Sequence, residues 1–486
     1  MSEHGPIAET ASVFDDDDEG TGRGIIRIAS VAALGGLLFG YDSAVINGAV
    51  DSIKHDFHVS NGVLGFAVAS ALLGAAAGAM TAGRIADRIG RLRVMRIAAV
   101  LFLISALGTA VAPNLGILIV GRVVGGFGVG VASVIAPAYI AETSPARIRG
   151  RLGSLQQLAI VLGIFFSLLV DWLLAEMAGG ADDVLALGLE AWRWMFLAMA
   201  IPAIVYGVMA TTIPESPRYL IMKHKIPEAR TILSTLLGET NLEIKIERIR
   251  NSLNRETKPS WSDLKRPGGG IWPIVWVGLL LSIFQQAVGI NVIFYYSNTL
   301  WQAVGFGESA SFGISVFTSI VNIASTLIAI ALVDRIGRRP LLVFGSAAMI
   351  VTLGALAVCF ATATGSGDDL KLHGAAGPIA LVAANLFVVA FAMSWGPIVW
   401  VLLGEMFPNR IRGAGLSLAA AGQWAANWAI TVSFPALASF SLGFSYGLYT
   451  LFAALSLVFV LRLVRETKGM SLEDMDAQIA ADVASS

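Results

Sequence analysis

Twelve apolar stretches of about twenty residues recur along the chain, separated by shorter polar segments. About 20 predominantly apolar residues are needed for a helix to cross a hydrocarbon core that is ~30 Å thick. The pattern therefore predicts an all-α membrane protein with twelve transmembrane helices, at approximately 27–48, 62–83, 94–113, 115–139, 153–174, 192–213, 271–298, 310–333, 340–363, 377–404, 412–438 and 443–464.

The first six and the last six stretches carry matching motifs in the same order. These are DRIGR at 87–91 and 334–338, RIRG at 147–150 and 410–413, and the pair PESPR at 214–218 and RETKG at 465–469. Repeated landmarks indicate a duplicated unit, and two halves with a site between them are typical of an alternating-access carrier. We therefore predict a disordered tail at 1–24, six-helix halves at 25–213 and 271–464, a linker with amphipathic helices at 214–270, and a second tail at 465–486.

Composition and charge placement agree with a membrane protein. Only 14% of the 486 residues are charged, against about 25% in a typical soluble domain. The net charge of −1 predicts no nucleic-acid partner. Lys and Arg cluster after every second stretch, on the side that carries both chain ends. The positive-inside rule then predicts that both termini are cytoplasmic.

One acid and one base interrupt the apolar stretches. Asp42 lies deep in the first stretch and Arg122 in the fourth. A charge at the centre of a membrane helix costs about 2.5–3.5 kcal/mol, so such residues usually face a cavity or a partner. Counted at 1.5 Å per residue, the two lie at similar depth. A nearby cation favours the ionised carboxyl and burial favours the neutral one. The pair is either a proton switch or a static ion pair between two helices.

Amides are concentrated in stretches five, seven, eight and eleven. Each amide both donates and accepts hydrogen bonds without the desolvation cost of a charge, which suits the hydroxyls of a monosaccharide. Aromatic rings can pack on the sugar ring. These side chains form either a sugar site or contacts that hold helices together. The candidates are Gln157, Gln285, Gln286, Asn291, Asn322, Gln423 and Asn427, with Trp400 and Trp424 nearby in sequence.

Other chemistry is not indicated. The five His fall in tails or loops, and Asp171, near the outer end of the fifth stretch, is expected to be solvated. No phosphate-binding loop, metal-ligand spacing or nucleophile–base pair stands out. We therefore predict that the protein is not an enzyme and uses no metal or other cofactor.

Several longer motifs resemble one family. The chain resembles the sugar porter branch of the major facilitator superfamily, which includes bacterial proton-coupled xylose and glucose symporters. One departure is Arg465, which stands where the family usually has the Pro of PETKG. The motifs that carry the resemblance are GRIADRIGR (83–91), PAYIAETSPARIRGR (137–151), PESPRYL (214–220), QQAVGINVIFYYS (285–297), DRIGRR (334–339) and WGPIVWVLLGEMFPNRIRG (395–413).

The resemblance implies roles for individual residues. Asp42 with Arg122 would couple the proton, since proton-coupled porters carry Asp here and uniporters typically carry Asn. The implied sugar contacts and cavity-lining residues are Phe39, Gln157, Gln285, Gln286, Asn291, Tyr295, Asn322, Trp400, Gln423 and Trp424. Ion pairs that bridge the halves in the outward-facing state would come from Arg91, Glu142, Arg149, Arg338, Glu405 and Arg412.

The resulting hypothesis is a proton–monosaccharide symporter of a bacterial inner membrane, functional as a monomer in the lipid bilayer. Glucose is the preferred substrate and xylose the next. The alternatives are a facilitative sugar uniporter, a transporter-like sugar sensor and a drug–proton antiporter. Asp42 argues against a uniporter, and the amide-rich stretches argue against an antiporter for apolar drugs.

Overall fold

The computed structural model describes residues 22–144, 146–237, 242–255, 264–266, 269–364, 371–407 and 411–467. The expected tails at 1–24 and 465–486 lie almost wholly outside these residues. Short 3₁₀ and helical turns follow the first long helix, at Val45–Gly48 and Val50–Asp56. The six spans of the N-terminal half, spans 1 to 6 in order, are Gly22–Ala44, Asn61–Ile89, Arg91–Ala110, Leu115–Thr143, Ala146–Ala178 and the pair Ala191–Ala198 and Ala200–Met209.

The C-terminal half repeats the arrangement with two broken spans. Span 7 consists of Pro273–Ala287 and Ile290–Tyr295 and is followed by Ser297–Ala303. Spans 8 and 9 are Glu308–Ile336 and Arg338–Ala361. Span 10 consists of Ala376–Ala392 and Trp395–Met406, and spans 11 and 12 are Arg412–Phe440 and Leu442–Leu463.

Along the chain, three shorter helices connect the two halves, at Pro217–Met222, Ile226–Leu237 and Leu242–Arg255. A small antiparallel hairpin, Val184–Ala186 with Leu189–Glu190, connects spans 5 and 6. Eleven segments of the described chain are long and apolar enough to cross a membrane, by length and composition. Span 11, with 29 residues, completes the twelve predicted spans and carries the polar Gln423 and Asn427.

Small residues set the closest helix contacts. A Cβ atom added at Gly126 of span 4 would lie 1.8 Å from the carbonyl oxygen of Ala71 on span 2. One added at Gly163 of span 5 would lie 2.0 Å from the carbonyl oxygen of Leu37 on span 1. Without a strong hydrophobic drive between helices in lipid, close backbone approach at small residues provides the packing energy. These contacts fix spans 1, 2, 4 and 5 around the polar residues of the N-terminal half.

The two halves are joined by hydrogen bonds at the end opposite the basic DRIGR loops, which we call the sealed end. There the Asn298 backbone N–H donates to Asn47 Oδ1 at 2.9 Å. The Ala181 backbone N–H donates to Glu308 Oε1 at 2.8 Å. We call the opposite end, which carries the DRIGR loops, the basic end. These two hydrogen bonds therefore hold the halves together at the sealed end.

Candidate functional site

Asp42 and Arg122 come together inside the N-terminal half. Both are almost fully buried, with 1% and 2% of their surface exposed. Arg122 Nη1 lies 3.6 Å from Asp42 Oδ1 and donates a 2.9 Å hydrogen bond to the backbone carbonyl of Asp42. Neither carboxyl oxygen has a hydrogen-bond partner within the described residues. The pair is thus a charge contact without a direct side-chain hydrogen bond, which is weaker than a well-formed ion pair.

Span 4 makes room for the acid through a glycine. A Cβ atom at Gly125 would lie 2.8 Å from Asp42 Oδ1 and 2.3 Å from Ser105 Oγ. Phe196 of span 6 lies against the guanidinium of Arg122, 5.9 Å from ring centroid to Cζ. The aromatic face stabilises the cation where water is excluded. The local sequence therefore holds the base with an aromatic ring and accommodates the acid with a glycine.

The pair adjoins the seam between the halves. A small cavity beside it is lined in part by Ser43, Arg122 and Tyr295, and so involves spans 1, 4 and 7. Tyr295 faces Ser43 across the seam and Asn427 within its own half. The ion pair therefore lies next to span 7 of the other half.

Two of the candidate amides brace the broken helices of the C-terminal half. Gln285 Nε2 donates to the carbonyls of Trp395 and Gly396, at 3.0 and 3.2 Å, and its Oε1 has no hydrogen-bond partner in the described chain. Gln286 Oε1 accepts a 2.6 Å hydrogen bond from Asn291 Nδ2. Gln285 therefore links span 7 to the break in span 10, with one acceptor left for a ligand.

Span 10 is broken just before Gly396 and Pro397. The first helix ends at Ala392 and the second begins at Trp395, with a non-helical Ser394 between them. The reason is steric, because a proline ring clashes with the carbonyl four residues earlier. Pro397 thus breaks the helix at Met393 and itself lies in the first turn of the new helix.

Aromatic side chains meet across the halves. The rings of Phe39 on span 1 and Trp424 on span 11 have centroids 6.2 Å apart. Gln423 precedes Trp424, and its Oε1 is buried without a hydrogen-bond partner in the described residues. Trp400 is exposed, with 45% of its surface accessible. Gln157 is half-buried and Asn322 is buried.

Gln156 is a buried amide that sequence reasoning passed over in favour of Gln157. It is 8% exposed, and neither amide atom has a hydrogen-bond partner among the described groups. A Cβ atom at Gly36 would lie 2.8 Å from its Nε2, so Gln156 packs against span 1. Gly36 on the facing span was the signal in the sequence that could have indicated Gln156, rather than Gln157, as the buried amide.

Two ion pairs occupy equivalent places at the basic end. Arg91 Nε and Nη2 lie 3.0 and 2.8 Å from the two oxygens of Glu142. Arg338 Nε and Nη2 lie 3.1 and 2.7 Å from those of Glu405. Each pair lies within its own half, whereas the expected bridging pairs belong to the outward-facing state. The side chains of Arg149 and Arg412 lie outside the part that the structure describes.

Two further acids, Glu215 and Glu466, were missed by sequence reasoning. Glu215 accepts hydrogen bonds from the backbone N–H groups of Arg91 (3.0 Å) and Leu92 (3.3 Å). Glu466 accepts from those of Arg338 and Arg339, both at 3.0 Å. Each carboxylate satisfies unpaired N–H groups and the positive dipole at a helix start. The shared position of PESPR and RETKG was the signal in the sequence.

Asp171 corrects an expectation. It was expected to be solvated near the outer end of its span, but it is 0% exposed. Span 1 and the turn Val45–Gly48 both pack against span 5 there, and they cover a position that lies near the end of the helix in sequence.

Comparison with known proteins identifies the class. A family model described as "Sugar (and other) transporter" matches residues 28–478. The chain is 54% identical to a glucose transport protein of Synechocystis sp. over 93% of its own length and 97% of the relative's. It is 37% identical to the D-xylose-proton symporter of Escherichia coli, over 93% and 95% of the two chains.

A solved transporter structure is similar to this chain in both fold and sequence. The structure titled "Partially occluded inward open conformation of the xylose transporter XylE from E. coli" is 36% identical, with a TM-score of 0.80 over 92% of this chain and all of that one. The chain therefore belongs to the sugar transporter family of the major facilitator superfamily. It is a multi-span membrane transporter and not an enzyme, and the predicted fold class is confirmed.

Proposed function

We propose that the protein is a proton–monosaccharide symporter that imports sugar by alternating access, with glucose as the preferred substrate and xylose as the next. The observation that carries the proposal is the buried Asp42–Arg122 contact beside a seam that also holds amides and aromatic rings. The functions for which its relatives are named, glucose transport and xylose–proton symport, support the same assignment.

The loose geometry of the charge pair suits proton exchange. At 3.6 Å and without a direct side-chain hydrogen bond, the attraction of Arg122 only partly offsets the cost of burying a carboxylate. Water entering from outside favours the ionised acid, and closure of the cavity favours the protonated one. Protonation removes the charge attraction between Arg122 and the Asp42 carboxyl, leaves only the hydrogen bond to the Asp42 backbone carbonyl, and so weakens the link between spans 1 and 4.

The sugar site combines both halves. Gln285 and Gln423 each offer a buried carbonyl oxygen without a hydrogen-bond partner among the described residues. Phe39 and Trp424 supply apolar faces across the seam. Gln157, Gln286, Asn291, Tyr295, Asn322 and Trp400 complete the contacts that the family resemblance implies. Amides meet the hydroxyls of the sugar at lower desolvation cost than charged groups would.

Orientation follows from charge. The basic end is cytoplasmic by the positive-inside rule, with both chain ends there, in the inner membrane of a bacterium. The sealed end then faces outward, and the hydrogen bonds there correspond to an inward-facing carrier. The likeness to an inward-open transporter supports this state. The protein functions as a monomer.

Proton coupling is tested by Asp42→Asn in right-side-out vesicles. The membrane potential supplies about 2.3 kcal/mol per charge and 100 mV, so wild type should accumulate labelled glucose and lose the gradient when an uncoupler is added. Asp42→Asn should keep counterflow but lose accumulation. Glu228→Gln, an exposed acid of the linker, is the control and should behave as wild type.

Other outcomes distinguish the alternatives. Uptake that never exceeds the outside concentration and ignores the uncoupler would identify a uniporter. Sugar binding without counterflow in proteoliposomes would identify a sensor. Unlabelled xylose, galactose and inositol, added as competitors of glucose, would settle the order of preference.

A further inference from the structure

Asp171 is a second fully buried carboxyl of the N-terminal half, separate from the Asp42–Arg122 pair. It lies on span 5 with 0% of its surface exposed. Neither oxygen has a hydrogen-bond partner among the described residues, although the backbone N–H of Gly48 faces the carboxyl group. Nothing in the transport scheme above uses this acid.

The charged groups of the neighbouring elements are engaged elsewhere. Tyr41 of span 1 faces Asp171, but its hydroxyl donates to the Met195 carbonyl at 3.4 Å. Arg193 of span 6 contacts Asp56 and Glu190, at 3.5 and 2.7 Å. On spans 4 and 8, Arg122 contacts Asp42, and Glu308 accepts from Ala181.

A buried carboxylate without a partner is costly, and the acid neutralises instead. None of the contacts described above brings a cation to Asp171. In the sealed state Asp171 therefore carries a proton.

A thin wall separates Asp171 from outside water. A polar cavity at the sealed end has an empty volume of about 540 Å³ and is lined in part by Asn47, Gly48, Asp51, Asp183, Asn298 and Glu308. Gly48 also borders Asp171, because a Cβ atom at Gly48 would lie 3.0 Å from both Cβ and Cγ of the acid. The backbone of Gly48 therefore stands between the buried carboxyl and the outer cavity.

The same turn holds the seal. Asn47, next to Gly48, accepts the hydrogen bond from the Asn298 backbone that joins the helix Ser297–Ala303 to the N-terminal half. Opening of the sealed end must break this bond and displace the turn Val45–Gly48. Displacement of the turn exposes Asp171 to water, where an acid of ordinary pKa near 4 ionises at neutral pH.

We propose that Asp171 is a second proton-binding site, which takes a proton from the outside when the outer end closes and returns it there when that end reopens. This gating proton is not transported, so it is distinct from the proton on Asp42. The inference rests on the proposed alternating-access function and adds a regulator to it: external acid favours the sealed state.

The test is a titration of outer-end opening in the full-length protein. Paired spin labels across the sealed end, on spans 5 and 8, report the open fraction between about pH 5.5 and 8, above the ordinary range of carboxyls. We expect the open fraction of wild type to fall several-fold as the pH is lowered. Asp171→Asn, which is permanently neutral, should stay mostly sealed and lose this part of the response.

Other charged or polar groups at this end remain in the variant. His55 lies 3.8 Å from Asp182, and burial together with Glu190 raises the pKa of Asp56. The difference between wild type and Asp171→Asn therefore isolates the contribution of Asp171. Ser167→Ala is the matched control, because Ser167 lies one turn earlier on span 5 and is equally buried without a hydrogen-bond partner in the described chain. It should keep the wild-type response.

A second measurement does not depend on a variant that opens normally. In infrared difference spectra of sealed wild-type protein, we expect a carbonyl band of a neutral carboxyl that is absent from Asp171→Asn. A wild-type pH response in Asp171→Asn, or the same band in both proteins, would overturn the inference. Failure of the symport proposal is distinguishable, since it would appear as uncoupler-insensitive uptake by wild type while the pH response of the outer end persists.

Discussion

Gly90 and Gly337 each turn the chain between two spans of one half at the basic end. Their φ angles are +98° and +106°, a region that residues with a Cβ atom rarely adopt. A Cβ atom would also lie 2.4 Å from Glu215 Oε2 at Gly90 and 2.8 Å from Glu466 Oε2 at Gly337. The glycine of each DRIGR motif is thus required by the turn and by the acid that caps the next helix.

We expect Gly90→Ala to destabilise the protein by about 1–3 kcal/mol, the usual cost of a strained backbone conformation. Thermal unfolding in detergent measures the loss. Gly83→Ala, at the start of GRIADRIGR (83–91), is the control. Gly83 lies within span 2, and a Cβ there meets nothing within 4 Å. Equal melting temperatures for the two variants would contradict this account.

The second helix of span 10 is held by its first residue. Trp395 is fully buried, and its Nε1 lies 3.0 Å from Ser346 Oγ and 3.3 Å from the Leu342 carbonyl, both on span 9. Gln285 of span 7 binds the carbonyl of the same tryptophan. The break therefore separates two helices without freeing the second one, which carries Trp400 toward the proposed sugar site and Glu405 toward Arg338.

Removing the anchor should loosen this helix. Ser346→Ala deletes the hydrogen bonds to Trp395 and to Ser456 (2.9 Å), at a cost of about 0.5–1.5 kcal/mol for each lost hydrogen bond. Trp395 Nε1 keeps the Leu342 carbonyl and Ser456 Oγ keeps the Ala453 carbonyl as acceptors. We expect a lower melting temperature and a several-fold higher KM for glucose, because Trp400 loses its fixed position. Ser433→Ala, a half-buried serine bonded within span 11, should change neither, and an unchanged KM in Ser346→Ala would separate the anchor from sugar binding.

The whole molecule is held in one state by contacts at the sealed end. Glu308 of span 8 accepts from the Ala181 backbone, and Ser309 Oγ donates to Glu176 at 2.7 Å. These bonds join the halves only when the sealed end is closed. Alternating access requires them to break in each cycle, so their strength helps set the balance between the two states.

Glu308→Ala should shift that balance toward the outward-open state. Each net hydrogen bond contributes about 0.5–1.5 kcal/mol, so the open population should rise about 2- to 10-fold. Labelling of a cysteine introduced beneath the seal, in a Cys359→Ser background, measures the change. Ser439→Ala alters only a bond within span 11 and serves as control, and unchanged labelling in Glu308→Ala would show that this contact does not limit opening.

Hydropathy and motif order were sufficient for the twelve spans and the duplicated halves, because the bilayer requires apolar helices of fixed length. Asp42 and Arg122 could be placed at similar depth, since helical rise converts position in sequence into distance across the membrane, but their contact depends on spans 1 and 4 lying side by side. The motifs also indicated the transporter class, which the family comparison confirmed.

Tertiary structure alone decided which polar side chains have partners. From its position in the sequence, Asp171 was expected to be a solvated acid near the end of a helix. Span 1 and the turn that follows it bury this acid. Glu215 and Glu466 become helix caps only because each half folds its last span back onto its second loop. Sequence spacing determines the depth and face of a residue along one helix, whereas burial and partnership depend on which other helix lies against that face.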